Sequence, residues 1–173
     1  PWGHRDDGTP VDGNGPMVDN APVLGPAGRI HCSVQDWSRF LADLLRGRRG
    51  EKALLQAASY QHLHTAPYAD DQALGWGLAE RDWGGGTVLT HAGSNTMNYA
   101  TVWVAPERDF AILACANQGG DGANAATDAT IAALIPFAQE QAVIQATAQR
   151  DYAFDGTISQ QVLENFLSRA LTM

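Results

Sequence analysis

The chain has 173 residues, 45% hydrophobic and 17% charged, enough for one ordinary domain with a real core and too apolar to be disordered. Its net charge of -8, with Lys52 the only lysine, argues against nucleic acid as a partner, because binding phosphates needs clustered Lys and Arg. No apolar run reaches the ~18 residues needed to span a membrane, and two cysteines, Cys32 and Cys115, cannot establish a disulfide framework, which leaves the compartment open.

Residues 1–30 carry Pro1, Pro10, Pro16, Pro22 and Pro26 among many glycines and read as an ordered loop of turns leading into a helical region. The opening "PWGHRDDGTP" is neither a secretory leader nor an initiator start, and reads as a processed or truncated piece. A helical segment, 31–70, follows. Ser33-Val34-Gln35-Asp36 has the form of a helix N-cap with an acidic residue three positions on. Val34, Trp37, Phe40, Leu41, Leu44 and Leu45 then repeat at helical spacing as one apolar face. Gly47 is expected to end that helix, and Arg46, Arg48 and Arg49 suit its negative end. A weaker helical stretch runs from about Glu51 to His64 and is stopped by Pro67.

Segment 71–149 holds the strands and a C-terminal helix. "ALGWGLAERDWGGGTVLTHAG" reads as strand, Gly-rich turn, strand, and the apolar runs Tyr99–Val104 and Phe110–Ala116 as two more strands with a turn between them. Ala123 to about Gln149 reads as an Ala-rich helix that Pro136 should kink or split. The tail, 150–173, carries a possible capping box at Thr157–Gln160, with Val162, Leu163, Phe166, Leu167 and Leu171 lining a last helix. This order predicts an α+β fold in one domain, a sheet of about three antiparallel strands with helices covering one face. Cys115 is expected to be a buried thiol, and Trp37, Trp76, Trp83 and Trp103 core or half-buried aromatics.

One strand breaks its own pattern. Thr90-His91-Ala92-Gly93-Ser94-Asn95 sets an imidazole beside two very small residues, then a hydroxyl and an amide, where bulk would pack better. Small residues on a central strand let something approach the backbone closely, either a neighbouring helix or a substrate. Taken alone, a packing glycine beside an exposed histidine explains the stretch equally well. His62 and His64 do not join His91 in a metal set, since alternating residues near a helix end diverge and no Cys or carboxylate completes it. No motif calls for a cofactor.

The ordered series "PAGRIHCSVQDWSRFLADLLRG", "LGWGL", "LTHAGSN" and "YATVWVAPERDFAILACANQ" resembles the serine β-lactamase and DD-peptidase superfamily from Pro1 to roughly Gln141. The likeness is to its class C-like branch, which also contains esterases, aminopeptidases and acyltransferases. "LTHAGSN" falls where that family carries its third active-site motif, Lys-Thr-Gly or His-x-Gly. The resemblance implies the C-terminal portion of the β-lactamase/transpeptidase-like fold, an antiparallel sheet flanked by helices. It also implies acyl transfer: a serine in Ser-x-x-Lys attacks a carbonyl, a Tyr or Ser motif moves protons, and the third motif lines the opposite wall. On that carry-over His91, Ala92, Gly93 and Asn95 line the substrate, and the backbone N–H of Ser94 is one of two oxyanion donors.

The departures set the expected role. Arg49 stands three residues before Lys52, so the chain has no Ser-x-x-Lys, and none of Tyr60, Tyr68, Tyr99 or Tyr152 is followed two residues later by Asn. In the family both motifs lie earlier in the chain, so this chain is expected to be about the C-terminal half of the fold and inactive alone. His91 and Ala92 lack the permanent charge of lysine and the hydroxyl of threonine, which favours an ester, amide or peptide substrate without a carboxylate. The expected partners are that small molecule and either a complementary N-terminal segment or a second copy, recruited by the uncharged, proline-free strand Phe110–Ala116. A non-catalytic binding module that kept the wall, and an assembly piece using its tail helix, are the alternatives.

Overall fold

The computed structural model describes residues 2–15, 18–67 and 69–148, with side chains described through Gln141. Residues through 142 form one compact unit. The expected tail helix and its Thr157–Gln160 cap lie outside the described residues.

The opening segment is held by side chains more than by regular structure. Asp19 accepts hydrogen bonds from Arg29 Nε (2.8 Å) and His31 Nε2 (3.1 Å), which hold its carboxyl well below the usual carboxylate range. Asn20 Nδ2 donates to the carbonyl of Gly28 at 2.8 Å. A 3-10 turn at Pro22–Leu24 leads into a one-turn helix, α1 (Gly25–Gly28), each with a proline in its first turn, where a missing N–H costs nothing.

Helix α2 (Val34–Arg48) begins as the sequence suggests, the Ser33 hydroxyl accepting from the Asp36 N–H at 3.1 Å. Its end differs. Gly47 lies inside the helix, and the termination is at Gly50 (φ 77°), with Gly50 N–H bonded to the Gly47 carbonyl and Glu51 N–H to the Arg46 carbonyl. That pair of bonds is a Schellman cap, which needs the left-handed conformation glycine adopts without penalty. Gly47 is glycine for another reason: the ring of Tyr60 occupies the place of its side chain. Tyr60 comes from α3 (Ala57–Leu63), a shorter helix than the expected span, because residues 51–55 are irregular. The Tyr60 hydroxyl donates to the Asp43 carboxylate and accepts from the Leu55 N–H at 3.2 Å, fixing α3 and the irregular stretch to α2.

The sheet has four antiparallel strands, one more than expected, in the order β1 (Gly77–Arg81), β2 (Gly86–Ser94), β3 (Tyr99–Ala105) and β4 (Phe110–Ala116). Each turn is local. Asp82–Gly84 and Gly85 join β1 to β2, and Pro106–Arg108 with Asp109 (φ 55°) joins β3 to β4. Helix α4 (Gly120–Ala148) then runs unbroken through Pro136, so the proline does not split it.

Helices cover both faces of the sheet, not one. Leu41, Leu44 and Leu45 of α2 pack on Leu89, Val102 and Val104, with Ala111 and Leu113 beside them. On the other face Ile131, Leu134 and Ile135 of α4 pack on Ile112, Ala114 and Trp103. The cause is legible in β3 and β4 themselves. Both are continuous apolar runs rather than alternating ones, as strands buried on two sides must be. Val34 and Phe40 were placed on the same apolar face as the leucines but are exposed. Cys115, expected to be buried, is exposed near the end of β4.

Candidate active site

Strand β2 changes character along its length. Val88 and Leu89 are buried core residues, whereas His91, Ala92, Gly93 and Ser94 are all exposed. The change follows from unequal strand lengths. β1 ends its pairing at Gly77 opposite Thr90, while β3 continues alongside, with His91 opposite Val102 and Ser94 opposite Tyr99. From His91 onward, β2 is therefore paired with a strand on one side only. Among the described residues, the backbone beyond Thr90 has no strand on that edge.

His91 is held in place. Its Nδ1 lies 2.8 Å from the carbonyl oxygen of Gly75, and because a carbonyl only accepts, Nδ1 carries the proton and donates. Nε2 is left as the other polar atom of the ring. Gly75 has φ 84°, a conformation that suits glycine and aims its carbonyl at the imidazole. At Gly93, a β-carbon would meet no atom within 4 Å. No packing neighbour among the described residues demands glycine there.

The hydroxyl and amide after the strand are committed to the turn. Ser94 Oγ donates to the Asn98 carbonyl at 2.7 Å and accepts from the Thr96 N–H at 2.9 Å. Asn95 Oδ1 accepts from the N–H groups of Met97 (3.2 Å) and Asn98 (2.8 Å) and from Asn98 Nδ2 (3.2 Å). Ser94 thus has a braced backbone and an occupied hydroxyl. Among the described residues no serine hydroxyl is hydrogen-bonded to a histidine or lysine; those of Ser33, Ser38 and Ser94 all donate to a carboxylate or a carbonyl.

The opening segment also reaches this end of the sheet. His4 N–H donates to the Met97 carbonyl, Gly119 N–H to the His4 carbonyl (both 3.0 Å), and His4 Nδ1 to the Asn117 carbonyl at 2.8 Å. Asn117 Nδ2 donates to the Trp2 carbonyl at 3.1 Å, so Asn117 anchors the opening segment beyond closing its own strand. His64 does not join His91. It feels the charge of Arg48, which pairs with Glu107 at 3.6 Å in the β3–β4 turn, at the other end of the strands. Neither of its ring nitrogens has a hydrogen-bond partner among the described residues, and burial, with a smaller contribution from Arg48, pushes its pKa down to about 4.

No helix among the described residues is long and apolar enough to cross a membrane. Neither curated proteins nor solved structures gave a match. A family model described as Beta-lactamase matches residues 1–136, from the opening segment through the sheet and into α4. With that match spanning most of the sequence, the chain belongs to the Beta-lactamase family.

Proposed function

We propose that this chain is the C-terminal portion of a class C-like serine hydrolase or acyltransferase of this family, and that it supplies the substrate wall of the site. The observation that carries the reading is the outer half of β2: four small or polar residues, exposed, beside an open strand edge, with free space at Gly93. A planar ester or amide laid along that edge meets backbone N–H and C=O groups, and Gly93 lets it lie against them without a side chain between. His91, held through Nδ1, presents Nε2 toward the acyl group as an acceptor, or as a donor when protonated. The braced turn at Ser94–Asn98 fixes the N–H of Ser94, one of the two donors that stabilise the oxyanion as the carbonyl is attacked. A preorganised donor of this kind contributes about 2.7–4 kcal/mol to the transition state. In this reading Asn95 shapes the turn rather than touching substrate through Oδ1. The nucleophile and its base come from a segment bearing Ser-x-x-Lys that this chain does not carry.

The test uses the complete enzyme, assembled by adding a segment that bears Ser-x-x-Lys and Tyr-x-Asn. His91→Ala is expected to lower kcat/KM by on the order of 10- to 100-fold through lost orientation. Ser94→Ala is expected to leave kcat/KM nearly unchanged and to cost about 1 kcal/mol of stability, since the hydroxyl holds the turn and only the backbone N–H serves the reaction. The reverse order of effects on kcat/KM would show that these two roles are misassigned.

A further inference from the structure

The two cysteines lie on one face of the fold. Along β4, Ile112 and Ala114 pack toward α4, and Ala111 and Leu113 toward α2, so Cys115 is the next residue on the α2 side. Helix α2 runs along that face with its C-terminal end pinned at the β3–β4 turn, where Arg49 is ion-paired with Asp109. From Asp109 to Cys115 the strand advances about 20 Å, at ~3.3 Å per residue. From Arg49 back to Ser33 the helix covers about 24 Å, at ~1.5 Å per residue. The N-terminal end of α2 therefore stands near the Cys115 end of β4, and Cys32 immediately precedes its N-cap. Both thiols are free and exposed. Partial burial, and after it the charge of Cys32, push the Cys115 thiol up, so the two groups feel each other. Cys115, Ala100 and Gly93 also form one row across the sheet, which puts Cys115 two strands, or about 10 Å, from the Gly93 backbone.

We propose that Cys32 and Cys115 are a reversible dithiol, oxidised by a small-molecule disulfide of the glutathione class to an internal disulfide that ties the segment before α2 to β4. One cysteine thiolate attacks a sulfur of the small disulfide, whose S–S bond breaks, releasing one small thiol and leaving a mixed disulfide. The second cysteine loses its proton and attacks the protein sulfur of that mixed disulfide, forming the Cys32–Cys115 bond and releasing the second small thiol. The two protons given up by the protein end on the two released thiols. Cys32 lies in the non-helical stretch 29–33, so bringing the sulfurs to bonding distance breaks no helix or sheet ladder.

The experiment incubates the chain with oxidised glutathione, alkylates the remaining thiols, and reads the intact mass and the peptides released without reduction. The expected product has lost two hydrogens, carries neither glutathione nor alkyl groups, and yields a Cys32–Cys115 cross-linked peptide. Its Tm is raised by on the order of 5–10 °C. Cys32→Ser and Cys115→Ser should each stop at a single glutathione adduct. The effective concentration of the pair, taken from its equilibrium with glutathione, should fall by at least about tenfold in denaturant, where the fold no longer holds the two positions together. Alkylated or glutathionylated thiols without the internal bridge, a bridge only between two chains, or an effective concentration unchanged by denaturant would each overturn the proposal.

Discussion

A β-carbon at Gly47 would overlap the ring of Tyr60, and that ring is held in place because its hydroxyl is bound between Asp43 and the Leu55 N–H. Gly47→Ala is therefore expected to destabilise by about 1–3 kcal/mol through overpacking, even after the roughly 1 kcal/mol that alanine gains in a helix. A lower denaturant midpoint at unchanged slope is the readout. Thr96 presents the opposite case. Its φ of 72° puts a β-branched residue in the left-handed region beside the candidate wall. Relief of about 1–3 kcal/mol of strain outweighs the roughly 1 kcal/mol entropic cost of glycine, so Thr96→Gly should raise stability by about 1 kcal/mol. A loss of stability would show that the strain assigned to Thr96 is absent. At His64 the folded pKa of about 4 lies below the ordinary 6.5. Between those values the unfolded chain binds a proton that the folded chain refuses. This contribution is whole above pH 6.5, is lost as pH falls toward 4, and is level below that. His64→Phe keeps an aromatic ring of similar size and should flatten that part of a stability-versus-pH profile. An unchanged slope would show that His64 is not the group responsible.

At the scale of elements, β4 is the strand most exposed to a partner. It lies at the edge of the sheet and carries no charge and no proline over Phe110–Ala116. Beyond its end His4 bridges Gln118 in parallel, which does not cover the strand itself. Its outer side has no strand partner among the described residues, and its N–H and C=O groups there are expected to recruit a complementary segment or a second copy. Sedimentation at low micromolar concentration should then show association, with the outward amides of β4 gaining exchange protection on assembly. A clean monomer with every β4 amide protected would mean the edge is already paired within the chain. These elements also show what the sequence could reveal. The Ser33 cap and the Leu41, Leu44, Leu45 stripe are local and periodic, so α2 was visible before its packing was known. Gly47 was mistaken for a terminator because a glycine in a last turn looks the same whether it caps the helix or makes room for a ring from another element. Two-sided burial was written in the unbroken apolar runs of β3 and β4, which length alone does not distinguish from one-sided strands. Cys115 is exposed although its run is apolar, because a strand's own composition does not say what packs over each of its positions.

At the scale of the whole molecule, the exposed outer half of β2 stands out in the sequence because His-Ala-Gly-Ser departs from the packing pattern its own strand sets. The surroundings were not. The Gly75 carbonyl that holds His91, the turn that absorbs Asn95, and the opening segment docked against Met97 and Asn117 all depend on contacts between distant positions. The role proposed for this member of the Beta-lactamase family is a substrate wall and an oxyanion donor without an activated serine. The hydroxyl of Ser94, the serine within the proposed wall, is engaged by the Asn98 carbonyl and the Thr96 N–H. The most direct measurement exposes the chain alone to a serine-directed acylating probe and reads intact mass followed by peptide mapping. The account predicts an unmodified mass. A stoichiometric adduct on Ser94, or on any other serine of the chain, would contradict it.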